Sequence, residues 1–183
     1  NITLKNCIIE GNKNYGISVY DSNNIGIINC TVTGNGSNEI DGGGIGIWDN
    51  NNVIIVNTIL WNNFPQNVKT WSGKEPTISY SCTDFDPLFA ANGYWADVNN
   101  TNIVVEPNDP NATWIDGDYH LMSEYGRWDA NIKAWIYDLD QLESPCINAG
   151  DPTHSIGNEP QPNGGIINMG AYGGTSQASK KEE

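Results

Sequence analysis

Hydrophobic and polar residues alternate through the first half of the chain, and the alternation repeats. Four stretches align without gaps: NITLKNCIIEGN from Asn1, NIGIINCTVTGN from Asn24, NVIIVNTILWNN from Asn52 and PTISYSCTDFD from Pro76. A period of two marks strands, whose successive side chains point to opposite faces; a helical solenoid would space its apolar residues by three and four. Taken as inward positions, Ile2, Leu4, Cys7 and Ile9 stack on Ile25, Ile27, Cys30 and Val32, then on Val53, Ile55, Thr58 and Leu60. The parity slips at Asn6, Asn29 and Asn57. A bend between two strands belongs there, because Asn tolerates left-handed backbone angles. On coils about 4.8 Å apart such asparagines can hydrogen-bond up and down as a ladder.

A further strand per coil follows a glycine: YGISVYD (15–21), GGIGIWD (43–49) and, more loosely, NVKTWS (67–72). Here Ile17 and Val19 face inward above Ile45 and Ile47, then Val68 and Thr70. Clusters such as Gly34-Asn35-Gly36 and Asp41-Gly42-Gly43-Gly44 supply the loops. The pattern predicts an all-β solenoid, a parallel β-helix, over residues 1 to about 85. The chain opens inside the repeat, and an uncapped β-helix would expose a row of unpaired backbone groups. Residue 1 is therefore expected to be an internal position of a longer precursor, with any signal peptide upstream.

From about Asp84 the repetition stops and Trp, Pro and Asn become frequent. In order come DFDPLF (84–89), GDYHL (117–121), GRWDAN (126–131), SPCINAGDP (144–152) and NGGIINMGAYGGTSQAS (163–179). Together with ISYSC (78–82), this series resembles the C-terminal region of bacterial right-handed β-helix repeat proteins. Those are large secreted or surface proteins, abundant in planctomycete-like bacteria and related to the pectate-lyase superfamily. The resemblance implies an extracellular or cell-surface right-handed β-helix whose final coils and irregular cap come from residues 86–183, in the same domain; it carries no catalytic motif. The open end needs cover, and Trp95, Trp114, Trp128 and Trp135 are large enough to plug it. A short helix is expected within 129–143, and an inserted loop over 92–116.

Charge narrows the partners. Eight Lys plus Arg against 22 Asp plus Glu give a formal charge of −14. That field repels nucleic acid and anionic membranes, and polyuronates unless a divalent cation bridges them. No stretch is apolar enough to span a bilayer. Cys7, Cys30 and Cys82 share one inward column, where in-register thiols have poor geometry for disulfides and act as small apolar fillers.

The candidate chemistry lies on the outside. Tyr20, Trp48 and Trp71 fall in one outward column, with Asp21, Asp49 and Ser72 next to them. Aromatic rings flanked by carboxylates suit a carbohydrate platform; the same residues could equally be a stack that only stabilises the sheet. Catalysis has weaker support. Asp21 and Asp49 on adjacent coils are too close for inverting hydrolysis, with Asp41 as a possible second member. Lys69 and Lys74 are the basic residues near the stripe, and His120 and His154 form no triad. Asp116 and Asp118, or Asp84 and Asp86, begin an oxygen cage for Ca²⁺ without the full loop pattern, so no cofactor is required and Ca²⁺ is the one considered. These observations favour a non-catalytic structural or adhesive protein binding extracellular polysaccharide or cell-surface matrix. The alternative is a fragment of a polysaccharide lyase or glycoside hydrolase.

Overall fold

The computed structural model describes residues 1–37, 41–49, 52–137 and 140–182. Three short strands make each coil. The first coil has β1 (Ile2–Lys5), β2 (Ile8–Glu10) and β3 (Tyr15–Tyr20). The second has β4 (Ile25–Ile28), β5 (Thr31–Thr33) and β6 (Gly43–Trp48). The third has β7 (Val53–Val56), β8 (Ile59–Trp61) and β9 (Val68–Thr70), and β10 (Thr77–Ser79) opens a fourth. Pairing is parallel from coil to coil, giving three sheets ordered β1-β4-β7-β10, β2-β5-β8 and β3-β6-β9. For the first three repeats the register is the one the alignment dictates: Ile2 to Ile25 to Val53, Ile9 to Val32 to Leu60, and Ile17 to Ile45 to Val68; the fourth is set one residue over, with Ile78 on Ile55 and Tyr80 at the bend with φ 47°. A slip of one residue would turn each of these columns out to solvent, so burial fixes it.

The inward columns form the core, in which Ile27, Cys30, Val32, Ile45, Ile47, Ile55 and Leu60 are fully buried. Each aliphatic side chain contributes about 1.5–3 kcal/mol by leaving water. Asn6, Asn29 and Asn57 hold the bends at φ 53°, 48° and 52°. Cys7, Cys30, Cys82 and Cys146 are all free, but Cys82 does not continue the inward column of Cys7 and Cys30 as expected: the one-residue offset of the fourth repeat pairs it with the outward Ile59 and turns it into the tail core. Burial pushes the Cys30 thiol up to about 11, with the neighbouring Cys7 adding to the rise.

The remainder forms antiparallel pieces: β11 (Phe89–Ala91), β12 (Tyr94–Asp97), β13 (Asn100–Val104), β14 (Ala112–Ile115), β15 (Asp118–Leu121), β16 (Arg127–Asp129) and β17 (Ala134–Ile136). The span expected as a loop at 92–116 thus carries a three-stranded sheet, β13-β12-β14. The aromatic and β-branched runs Tyr94-Trp95 and Thr113-Trp114-Ile115 favour it by facing each other across the pair. The helix expected in 129–143 is not present among the described residues, which leave out 138 and 139. Instead, β16 and β17 pair as a hairpin with Trp128 opposite Trp135.

The tail lies on the flank of the coils rather than over their open end. Val32 and Leu60 point inward, so their neighbours Thr31 and Ile59 point outward, and yet both are fully buried. Tail residues Phe89, Tyr119, Leu121, Cys146, Ile147 and Met169 pack with Ile59 and Cys82 into a second core. Meanwhile Ile78, stacked below Ile55 in the inward column, remains 40 % exposed. Among the described residues no tryptophan plugs the open end, because the apolar outer face of β5 and β8 claims the tail. Trp128 and Trp135 pair on their own hairpin at a ring separation of 5.8 Å.

The asparagine column carries this docking. Asn6 Nδ2 donates to the carbonyls of Ala171 and Gly173, both at 2.8 Å. Asn29 Nδ2 donates to the Asn168 carbonyl at 3.0 Å, and Asn57 Oδ1 accepts from the Asp151 N–H at 2.7 Å. Between coils the column makes a long contact, Asn57 Nδ2 to Asn29 Oδ1 at 3.4 Å. A fuller ladder runs elsewhere. Asn12 donates to Asn35 at 2.8 Å, Asn35 to Asn63 at 2.9 Å, and Asn63 to Asn67 at 2.9 Å. Asn12, Asn35 and Asn63 close the first three aligned repeats, so the signal was the repeated terminal Asn.

Candidate binding face

The outer face of the β3-β6-β9 sheet gathers the predicted stripe. Register places Tyr20 beside Trp48, and Trp71 follows the last residue of β9. The rings of Tyr20 and Trp48 stack at 4.3 Å and 10°, those of Trp48 and Trp71 at 6.2 Å and 11°. Gly46 allows this, since a Cβ there would lie 2.5 Å from the Trp48 indole. Tyr15 meets Trp48 edge-on at 5.3 Å, and its hydroxyl accepts from Trp71 Nε1 at 3.0 Å, two coils away. Lys69 Nζ sits 3.4 Å from the centre of the Trp71 ring and pairs with Asp41 at 3.1 Å.

The stripe is open to solvent: Tyr20 is 59 % and Trp71 41 % exposed. The rings line an open cleft of about 300 Å³ together with Asn14, Ser18 and Asp41. Because the rings stack along the helix axis, Trp48 has its faces occupied. What the column shows to solvent is chiefly ring edges, whose positive C–H and N–H rim favours oxygen-rich ligands. The flat platform expected from sequence is therefore confined to the outer face of Tyr20. Asp21 and Asp49 are exposed at the strand ends with φ 39° and 52°. Their N–H groups donate to the Trp48 and Ser72 carbonyls at 3.1 Å, extending the sheet. The cleft carboxylate is Asp41, and Tyr15 is the member the sequence pattern missed.

The other candidates lie in the tail. His120 is buried, stacks on Tyr172 at 3.7 Å, and its Nδ1 lies 2.6 Å from Asp118 Oδ1. Arg127 bridges Asp118 at 3.5 Å and Asp140 at 3.0 Å. Burial works to raise the Asp118 carboxyl, but the hydrogen bond and charge of His120, with Arg127, outweigh it and hold it below the usual range. Asp116 and Asp118 do line one cavity, of about 230 Å³, with Asn131. Both Asp118 oxygens, however, are engaged by His120 and Arg127. Among the described residues no three His, Cys, Asp or Glu side chains gather to hold a metal ion. His154 pairs with Asp151 at 3.1 Å, and Asp86 accepts from the Leu88 N–H. Lys74 is exposed beyond the stripe. Among the described residues a carboxyl clearly raised by burial, Glu159 at about 7, belongs to the tail and not to the cleft.

Three parallel sheets wound through successive coils define a parallel β-helix. Residues 1–111 match the family model described as right handed beta helix region, more than half of the chain, and the protein belongs to that family. No curated protein and no solved structure matches it. No helix among the described residues is long and apolar enough to cross a membrane.

Proposed function

We propose that this β-helix is a non-catalytic, extracellular or cell-surface protein that binds polysaccharide across the open face of the β3-β6-β9 sheet. The observation that carries it is the exposed column Tyr20-Trp48-Trp71 beside Asp41, Asn14 and Ser18 in one cleft. A sugar ring packs on the outer face of Tyr20, while hydroxyl oxygens of the following residues meet the ring edges and the side chains of Asn14 and Ser18. The charge of −14 favours a neutral glycan. Ca²⁺ has a role only for an acidic glycan, bridging it to Asp41, Asp21 and Asp49. Kinship with pectate-lyase-like proteins is part of this proposal.

Depletion of neutral and acidic polysaccharides, with and without Ca²⁺, tests it. Binding lost in both Tyr20→Ala and Trp71→Ala supports the reading; unchanged binding in both variants removes it. One observation favours a second reading, a fragment of a polysaccharide lyase or glycoside hydrolase: Lys69 and Asp41 form an ion pair at 3.1 Å beside the stripe. Shortened or unsaturated products, lost in Lys69→Met, would establish that one.

A further inference from the structure

A larger cleft opens at the corner between β8 and β9, away from the stripe. It encloses about 380 Å³, within the range of roughly 300–1,000 Å³ usual for small-molecule sites. One wall is Phe64, on the coil corner; the other is Tyr94, Trp95 and Trp114, on the β13-β12-β14 sheet. Trp114 is fixed in place, since its indole lies on Gly11 and Gly34 of successive coils, where a Cβ would come within 2.3 and 2.2 Å of it. Its Nε1 donates to Glu10 at 2.9 Å. Trp95 meets it edge-on at 5.3 Å. Phe64 and Tyr94 are 51 % and 39 % exposed, and the Tyr94 hydroxyl donates to the Thr101 carbonyl at 3.3 Å.

We infer that this cleft is a second ligand site, taking one or two residues of a neutral saccharide between Phe64 and the Tyr94-Trp95 wall. Three observations select that chemistry. Aromatic side chains line the cleft, Phe64 from the coils and Tyr94, Trp95 and Trp114 from the inserted sheet, which suits a pyranose ring with C–H groups on its faces. Asn62 and Glu106 add polar groups to the lining, which suit a ligand rich in hydroxyls. Among the described residues no Lys or Arg lines the cleft, Lys13 Nζ lying 5.6 Å from the Trp95 ring centre, and Glu106 together with the net charge of −14 disfavours anions. The site is built by the inserted sheet and does not depend on the stripe.

Titration of the whole chain with a panel of neutral disaccharides (cellobiose, xylobiose, mannobiose and chitobiose), read by Trp fluorescence and calorimetry, tests this. At least one is expected to bind saturably at millimolar concentration. Loss of one aromatic wall in Phe64→Ala or Tyr94→Ala is expected to weaken it about tenfold or more, while Tyr20→Ala leaves it unchanged. Both replaced residues are exposed, and thermal unfolding of each variant confirms that the fold survives. No saturable binding of any disaccharide overturns the inference. So does binding that Tyr20→Ala removes and Phe64→Ala does not, which would place the sugar on the stripe. Saturable binding of tetramethylammonium in place of the disaccharides would make the cleft a cation cage and would also overturn it.

Discussion

Glu159 gives the tail a predictable response to pH. It is 6 % exposed, and its Oε1 accepts from the N–H groups of Asn168 and Gly174, each at 2.8 Å. Its Oε2 is buried with no hydrogen-bond partner. Burial pushes the carboxyl up to about 7 from an ordinary 4.5, and the two N–H groups only partly oppose it. A folded value above the unfolded one means that the native state holds the proton more tightly. Stability is then full below pH 4.5 and falls as pH rises towards 7. At about 1.4 kcal/mol per pH unit, the loss is about 3 kcal/mol. Glu159→Gln keeps an oxygen for both N–H groups and removes the ionisation. Urea unfolding of both proteins from pH 4.5 to 8, followed by Trp fluorescence, isolates this carboxyl from oppositely shifted groups such as Asp118. The wild type is expected to lose about 3 kcal/mol relative to Glu159→Gln across that range. Parallel stability profiles would refute the argument, because a neutral amide cannot reproduce the titration of a buried acid.

Two further tests address packing. Gly34→Ala sets a Cβ 2.2 Å from the Trp114 ring at a backbone φ of +64°. It should cost about 2 kcal/mol or more, combining left-handed strain with displacement of the indole, and should shift Trp emission; equal urea midpoints would count against Trp114 as the fastener of the inserted sheet. In native protein, a thiol reagent should label Cys7 first, since Cys30, Cys82 and Cys146 are fully buried. Rapid labelling of all four would show that the buried cores open locally.

The coils were legible because each inward column compares like with like across aligned repeats. Ile27 above Ile55 and Ile17 above Ile45 are statements about adjacent strands, which a period of two encodes directly. The aromatic stripe was legible for the same reason, but its ring orientation was not. That depends on Gly46 below Trp48 and on the Tyr15 hydroxyl reaching Trp71, contacts on which alternation is silent. The tail was the least legible part. Several of its partners lie more than a hundred residues away, as Trp114 does from Glu10 and Gly173 from Asn6, and no local pattern names them. The tryptophans suggested a plug because size is visible in a sequence while the surface it covers is not. The outward Thr31 and Ile59 were the missed signal, two residues on a supposedly solvated face that lack charge.

The flank-bound tail changes how the solenoid holds together. In a plain stack each coil contacts only its neighbours, so the terminal coils open independently of the middle. Here one segment touches the first coil through Asn6, the second through Asn29 and Thr31, and the third through Asn57 and Ile59. It couples the first and third coils, which otherwise meet through the Tyr15–Trp71 contact on the opposite flank. Gly170 is the place to test this, with φ +85° and room for a Cβ only 2.8 Å from Ile59 Cδ1. Gly170→Ala adds left-handed backbone strain of roughly 1–2 kcal/mol in the tail and crowds Ile59 and Thr31, while every coil residue keeps its identity. Native-state hydrogen exchange should then speed up by about tenfold or more, at the amides of Asn6, Asn29 and Asn57 together, because all three coils lose the same clasp. A change confined to the tail and to the coil around Ile59 would mean that the stack behaves as independent neighbours, and the clasp would then be a covering of the outer face and no more.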